Sequence, residues 1–88
     1  MGRKPGPVGP ATTYIAAELR AQKGRLDWSL DDIAAKSGVP RSTVNTAIKG
    51  NQAIPVEVLI AVATALGLNP GRLLDEATTL DHRPKEMS

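Results

Sequence analysis

The stretch from Arg41 to Lys49 holds the side chains best suited to recognition chemistry. Arg41, Ser42, Asn45, Thr46 and Lys49 all carry hydrogen-bond donors. Wound at roughly 100° per residue, they fall on one arc of about 140°, with Val44 and Ala47 pointing the other way and Ile48 at the border. Arg and Asn are the residues suited to paired hydrogen bonds with the major-groove edges of guanine and adenine. A merely solvated face would be expected to mix in Asp or Glu, and this arc has neither. Between Asp32 and Glu57 there is no carboxylate, while Lys36, Arg41 and Lys49 lie in that interval. This placement, more than the net charge of +2, points to a polyanionic partner, double-stranded DNA.

Other chemistries find little to build on. There is no Cys, and His82 is the single His, in a polar C-terminal stretch with no second ligand type clustered beside it. Neither a metal site nor His-based catalysis is expected. Ser29, Ser37 and Ser42 read better as helix caps or contact residues than as nucleophiles. Gly2-Arg3-Lys4-Pro5-Gly6 lacks the preceding strand and the spacing of a phosphate loop. With 88 residues, room for a deep cleft is small, so no catalytic residues, no metal and no cofactor are expected, and the chain is not read as an enzyme. No apolar run follows Arg3 and Lys4, and the longest apolar stretch, Val58 to Leu66, is about half the roughly 20 residues that cross a bilayer. A cytoplasmic protein without a membrane partner is the expectation.

The elements that must position the Arg41–Lys49 arc can be read from caps and breakers. Aromatics are 2% of the chain and Phe is absent, so a core of Leu, Ile, Val and Ala in close-packed helices is expected. Ile15 and Leu19 mark a first helix from Tyr14 to Lys23, with Thr13 as N-cap and Gly24 as its stop. Ser29 caps a second, Leu30 to Ser37, with Asp32 returning the bond and Trp28 stapling onto Ile33. Gly38 turns the chain sharply and Pro40 fixes φ at the start of a third helix, 40–49, which ends near Gly50. Pro55 opens a fourth through Leu66, closed by Gly67, and Asn69-Pro70 opens a fifth through about Ala77. The fold expected is all-α, a flexible basic arm over 1–12, a helical domain over 13–78 and a polar tail over 79–88.

Within the second and third helices, Ala34, Gly38 and Val44 are spaced as in a DNA-binding helix-turn-helix: a small residue where the helices cross, a turn, and an apolar plug. The segments Trp28-Ser29-Leu30-Asp31-Asp32-Ile33-Ala34, Ser37-Gly38-Val39-Pro40-Arg41-Ser42-Thr43-Val44 and Lys49-Gly50 resemble the Cro/repressor-type (XRE-like) helix-turn-helix family of phage and bacterial regulators. The resemblance continues through Pro55, Leu59, Ala63, Leu66-Gly67 and Leu73-Leu74, and so spans Tyr14 to Ala77. It implies a five-helix, lambda-repressor-like domain that binds an operator, commonly as a dimer. Family positions put Arg41, Ser42, Asn45 and Thr46 at base edges. Lys49, Asn51 and Gln52 are then expected near phosphates, with Ser29, Lys36 and Thr43 also at the DNA backbone. Three positions depart from the pattern. Leu30 stands where Gln often braces the recognition helix, Ala47 where a larger Ile or Trp fills the core, and Ile48 where Glu is frequent. Ile48 is therefore expected to supply the volume that Ala47 lacks.

Arg3 and Lys4 of the arm are further candidates for DNA contact. The fourth helix is apolar on more than one side: Leu59, Val62, Ala63 and Leu66 form a core stripe, but Val58, Ile60, Ala61 and Ala65 lie off it. The fifth helix and a second subunit should cover them in combination, and Val58, Ile60, Leu73 and Leu74 are the expected dimer contacts. The partners expected are double-stranded DNA and a second copy of the chain, at least on DNA. An antitoxin or adapter that binds a protein through the fourth and fifth helices is the alternative.

Overall fold

The computed structural model describes the backbone of residues 9–81 and the side chains of residues 9–79. Five helices follow one another: α1 Pro10–Leu26, α2 Leu30–Ser37, α3 Arg41–Lys49, α4 Val56–Ala65 and α5 Pro70–Asp81, with no strand among the described residues. The all-α fold with α2 and α3 in tandem is the one expected.

The first helix is longer than Thr13 and Gly24 suggest. Pro10 occupies its first turn, where the fixed φ fits and the missing N–H is not needed, and Gly9 is the N-cap. Thr13 lies inside the helix, its hydroxyl donating back to the Gly9 carbonyl at 3.3 Å. Residues 10–12, assigned to the arm from sequence, are thus helical. At the other end Gly24 is carried through, since a helix tolerates an interior glycine at about 1 kcal/mol. The reversal falls on Asp27 at φ 58, whose N–H donates to the Gly24 carbonyl at 3.1 Å. Asp is one of the few residues other than Gly able to adopt this left-handed conformation.

At the start of α2 the expected capping box is formed. Ser29 Oγ accepts from the Asp32 N–H at 3.1 Å, and Asp32 Oδ2 accepts from the Ser29 N–H at 2.8 Å. Gly38 then reverses the chain at φ 78. Pro40 is the N-cap of α3, not its first residue: its φ of −56 is helical but its ψ of 144 is extended, while its carbonyl accepts the first helical bond from Val44. Pro55 does the same for α4, accepting from Leu59. Asn69 Oδ1 accepts from the Arg72 N–H at 3.1 Å at the start of α5, which continues past Ala77 to Asp81.

Leu19, Ile33, Val44, Leu59, Val62, Ala63, Leu66, Leu73 and Ala77 make one buried cluster, with Trp28 and Leu30 packed at its edge. The long α1 fixes the ends of two other helices. Arg20 Nη1 donates to the Ile48 carbonyl at 2.8 Å, and Gln22 Nε2 donates to the Leu66 carbonyl at 2.9 Å. Both carbonyls lie where α3 and α4 finish and lack intrahelical donors. Tyr14 on α1 reaches α5, donating to Glu76 Oε1 at 2.5 Å, while Arg72 Nε donates to Glu76 Oε2 at 3.3 Å. Among the described residues no single helix is long and apolar enough to cross a membrane.

Candidate nucleic-acid interface

The third helix is held by three buried residues, Val44, Ala47 and Ile48. Ile48 is thus inside, beside the small Ala47, as its expected role of supplying volume requires. With that face spent on the core, Arg41, Ser42, Thr46 and Lys49 are exposed and Asn45 is half-buried. The α3 N-terminus follows directly from the Gly38 turn, and its C-terminus is held by Arg20 and closed by Gly50 at φ 73. Position and tilt of the polar face are therefore set from both ends.

The side chains on this face differ in how free they are. Thr46 Oγ1 already donates to the Ser42 carbonyl at 3.1 Å, leaving its oxygen as acceptor. Ser29 Oγ already accepts one bond in the capping box, so its hydroxyl proton and one lone pair remain for another partner. Ser42, Thr43, Thr46 and Gln52 share the rim of one groove of about 280 Å³, whose apolar wall includes Ala47, Ile54 and Val58. Asn51 is exposed just beyond α3. Lys36 is exposed on α2, where it lines one recess with Trp28, Asp32 and Ala35 and another with Ser37, Ile60, Ala61 and Thr64. Arg3 and Lys4 lie outside the described residues.

One participant escaped the linear reading. Asp31, the second residue of α2, meets Arg41 through an Oδ1–Nε contact of 2.9 Å. The stretch without carboxylates is thus not free of them in space. Both side chains are largely exposed, so the pair contributes little to stability, on the order of 0.2–1 kcal/mol. No pattern in the sequence announces it, because the contact joins residues ten apart across the Gly38 turn. Leu30, at the position where the family often has a bracing Gln, is half-buried against the core instead.

The apolar residues named as dimer contacts separate into two groups. Leu73 is 5% exposed and belongs to the core, which corrects its expected role. Successive residues of a helix point about 100° apart, so its neighbour Leu74 faces outward, 38% exposed. Val58 is half-buried in the α3–α4 groove, and Ile60 is 45% exposed, so α5 does not cover all of α4. Among the described residues no group of three His, Cys, Asp or Glu is placed to hold a metal ion.

A helix-turn-helix family model matches residues 18–73, which takes in α2, the turn, α3 and α4 whole. No curated protein and no solved structure gives a significant match. The matched span covers most of the chain, and together with the α2–turn–α3 geometry it shows that this chain belongs to the Cro/repressor-type (XRE-like) helix-turn-helix family of DNA-binding transcription regulators.

Proposed function

We propose that the chain is a repressor that binds a specific operator, each copy reading a half-site with α3 in the major groove and two copies acting together on DNA. The observation that carries this is the exposed polar face of α3, which has no carboxylate of its own and is anchored by Val44, Ala47 and Ile48 and by Arg20 at its end. Arg41, Ser42, Asn45 and Thr46 are assigned to base edges. Lys49, Asn51, Gln52, Ser29, Thr43 and Lys36 are assigned to the backbone. A domain of this size covers one half-site, and paired half-sites mirror the two-fold symmetry of a dimer. Of the residues expected at that contact, Ile60 and Leu74 are the exposed ones.

The test is to measure base preference for variants. Arg41→Ala and Asn45→Ala should each cost about 1–3 kcal/mol of specific binding and relax preference at one base position. Lys49→Ala should weaken all sequences alike. Unaltered preference in both of the first two variants, with the circular dichroism of the parent, would put the wrong face against the groove. The exposure of Ile60 beside Lys36, Ser37, Ala61 and Thr64 favours, as a second reading, a protein partner on α4. That partner's binding would survive Arg41→Ala and Asn45→Ala and be lost in Ile60→Asp.

A further inference from the structure

We propose that Asp31 is a positioning residue for sequence reading, holding the Arg41 guanidinium so that its two terminal nitrogens are presented together to a guanine edge. This rests on the assignment of Arg41 to a base. The 2.9 Å contact to Asp31 Oδ1 is made at Nε, whereas Nη1 and Nη2 are the parallel donors at the end of the guanidinium fork. Guanine offers O6 and N7 to such a fork.

Asp31 is itself well placed to orient a neighbour. It sits in the first turn of α2, whose backbone is tied down by the Ser29–Asp32 capping box. The carboxylate of Asp32 is used by the Ser29 N–H, so it is Asp31 that faces α3. An exposed arginine without such a partner is free to swing to a phosphate, a contact that adds affinity for any sequence and information about none. A carboxylate beside it repels phosphates and biases the direction of the side chain at once. Asp31 should therefore lower affinity for DNA in general while raising discrimination.

Binding selections from randomised half-sites, together with affinities for random-sequence DNA, test this on the full chain with Asp31→Asn, Arg41→Ala and the double variant. Asp31→Asn should lose about 1.5-fold to fivefold of the preference at the one position that Arg41→Ala flattens. It should bind random-sequence DNA at least as tightly as the parent, and should change nothing further when Arg41 is already Ala. The denaturant midpoint of Asp31→Asn, close to that of the parent, separates this from a loss of fold. If Arg41→Ala flattens a position that Asp31→Asn leaves sharp, the positioning role fails and the assignment of Arg41 stands. If Arg41→Ala flattens nothing, both fail.

Discussion

Gly50, at the end of the recognition helix, is the position where a single methyl group should do the most damage. Its φ is 73, and a Cβ built there would lie 2.5 Å from Cβ of Ala16 on α1. Gly50→Ala thus meets two costs. The left-handed conformation costs an L-residue roughly 1–2 kcal/mol. Forcing an extra methyl against the α1 backbone side costs roughly 1–3 kcal/mol more, because Ala16 is itself buried and its Cβ cannot rotate away. The expected loss is about 2–5 kcal/mol, comparable to the whole stability of a small single-core domain. Gly38 provides the internal control, since its φ is 78 but nothing lies within 4 Å of its Cβ position. Gly38→Ala should cost only the conformational part, about 1–2 kcal/mol. Ala16→Gly, which alone should destabilise by about 1 kcal/mol as a glycine in a helix, should be neutral or stabilising in the Gly50→Ala background. Urea unfolding followed by circular dichroism measures all four variants. Equal losses for Gly38→Ala and Gly50→Ala, with Ala16→Gly strictly additive, would refute the close approach of α1 and α3.

Further outcomes follow from the same contacts. Ser29→Ala should remove the α2 capping box and destabilise by about 1 kcal/mol, read as a drop in thermal midpoint of roughly 4–8 °C. The Tyr14–Glu76 contact should make stability depend on pH at both extremes. Its hydrogen bond to Glu76 is the main cause that pushes the Tyr14 hydroxyl from 10.0 up to about 12, and the same bond, helped by Arg72, holds the Glu76 carboxyl below its usual value. A raised phenol contributes stability that is full below pH 10 and lost on rising towards 12. A lowered carboxyl contributes stability that is full above its ordinary titration range and lost as pH falls through the folded value. The contribution is therefore greatest between about pH 5 and pH 10, and Tyr14→Phe should flatten both flanks of a plot of urea midpoint against pH. A profile unchanged in Tyr14→Phe would show that the α1–α5 tie is not formed in solution. Val44→Ala, emptying a fully buried site between α2 and α3, should cost about 2–3 kcal/mol and weaken DNA binding only through unfolding.

Local chemistry made the helix-turn-helix readable. Ser29, Asp32, Gly38 and Gly50 each have one strong structural use, and each is found in it. The polar arc of α3 followed from helical periodicity alone, because Val44 and Ala47 mark the buried side. The ends of α1 were misread for the complementary reason. Thr13 and Gly24 have the right types for a cap and a stop, but Pro10 and Asp27 compete for the same tasks, and Ala11 in the added first turn packs against the core. Which of Leu73 and Leu74 is buried depends on the phase of α5 against α1, and the contact between Asp31 and Arg41 on the angle of the turn. Neither is carried by residue type or spacing.

The most direct measurement is selection of genomic or random duplex DNA on the immobilised protein, with the affinity for the recovered site titrated at low and moderate salt. The predicted result is one short, roughly palindromic sequence whose binding weakens steeply as salt rises, since each phosphate met by Lys49 or its neighbours releases a counterion. Recovery of no enriched sequence, or an affinity indifferent to salt, would contradict a role in reading DNA through α3.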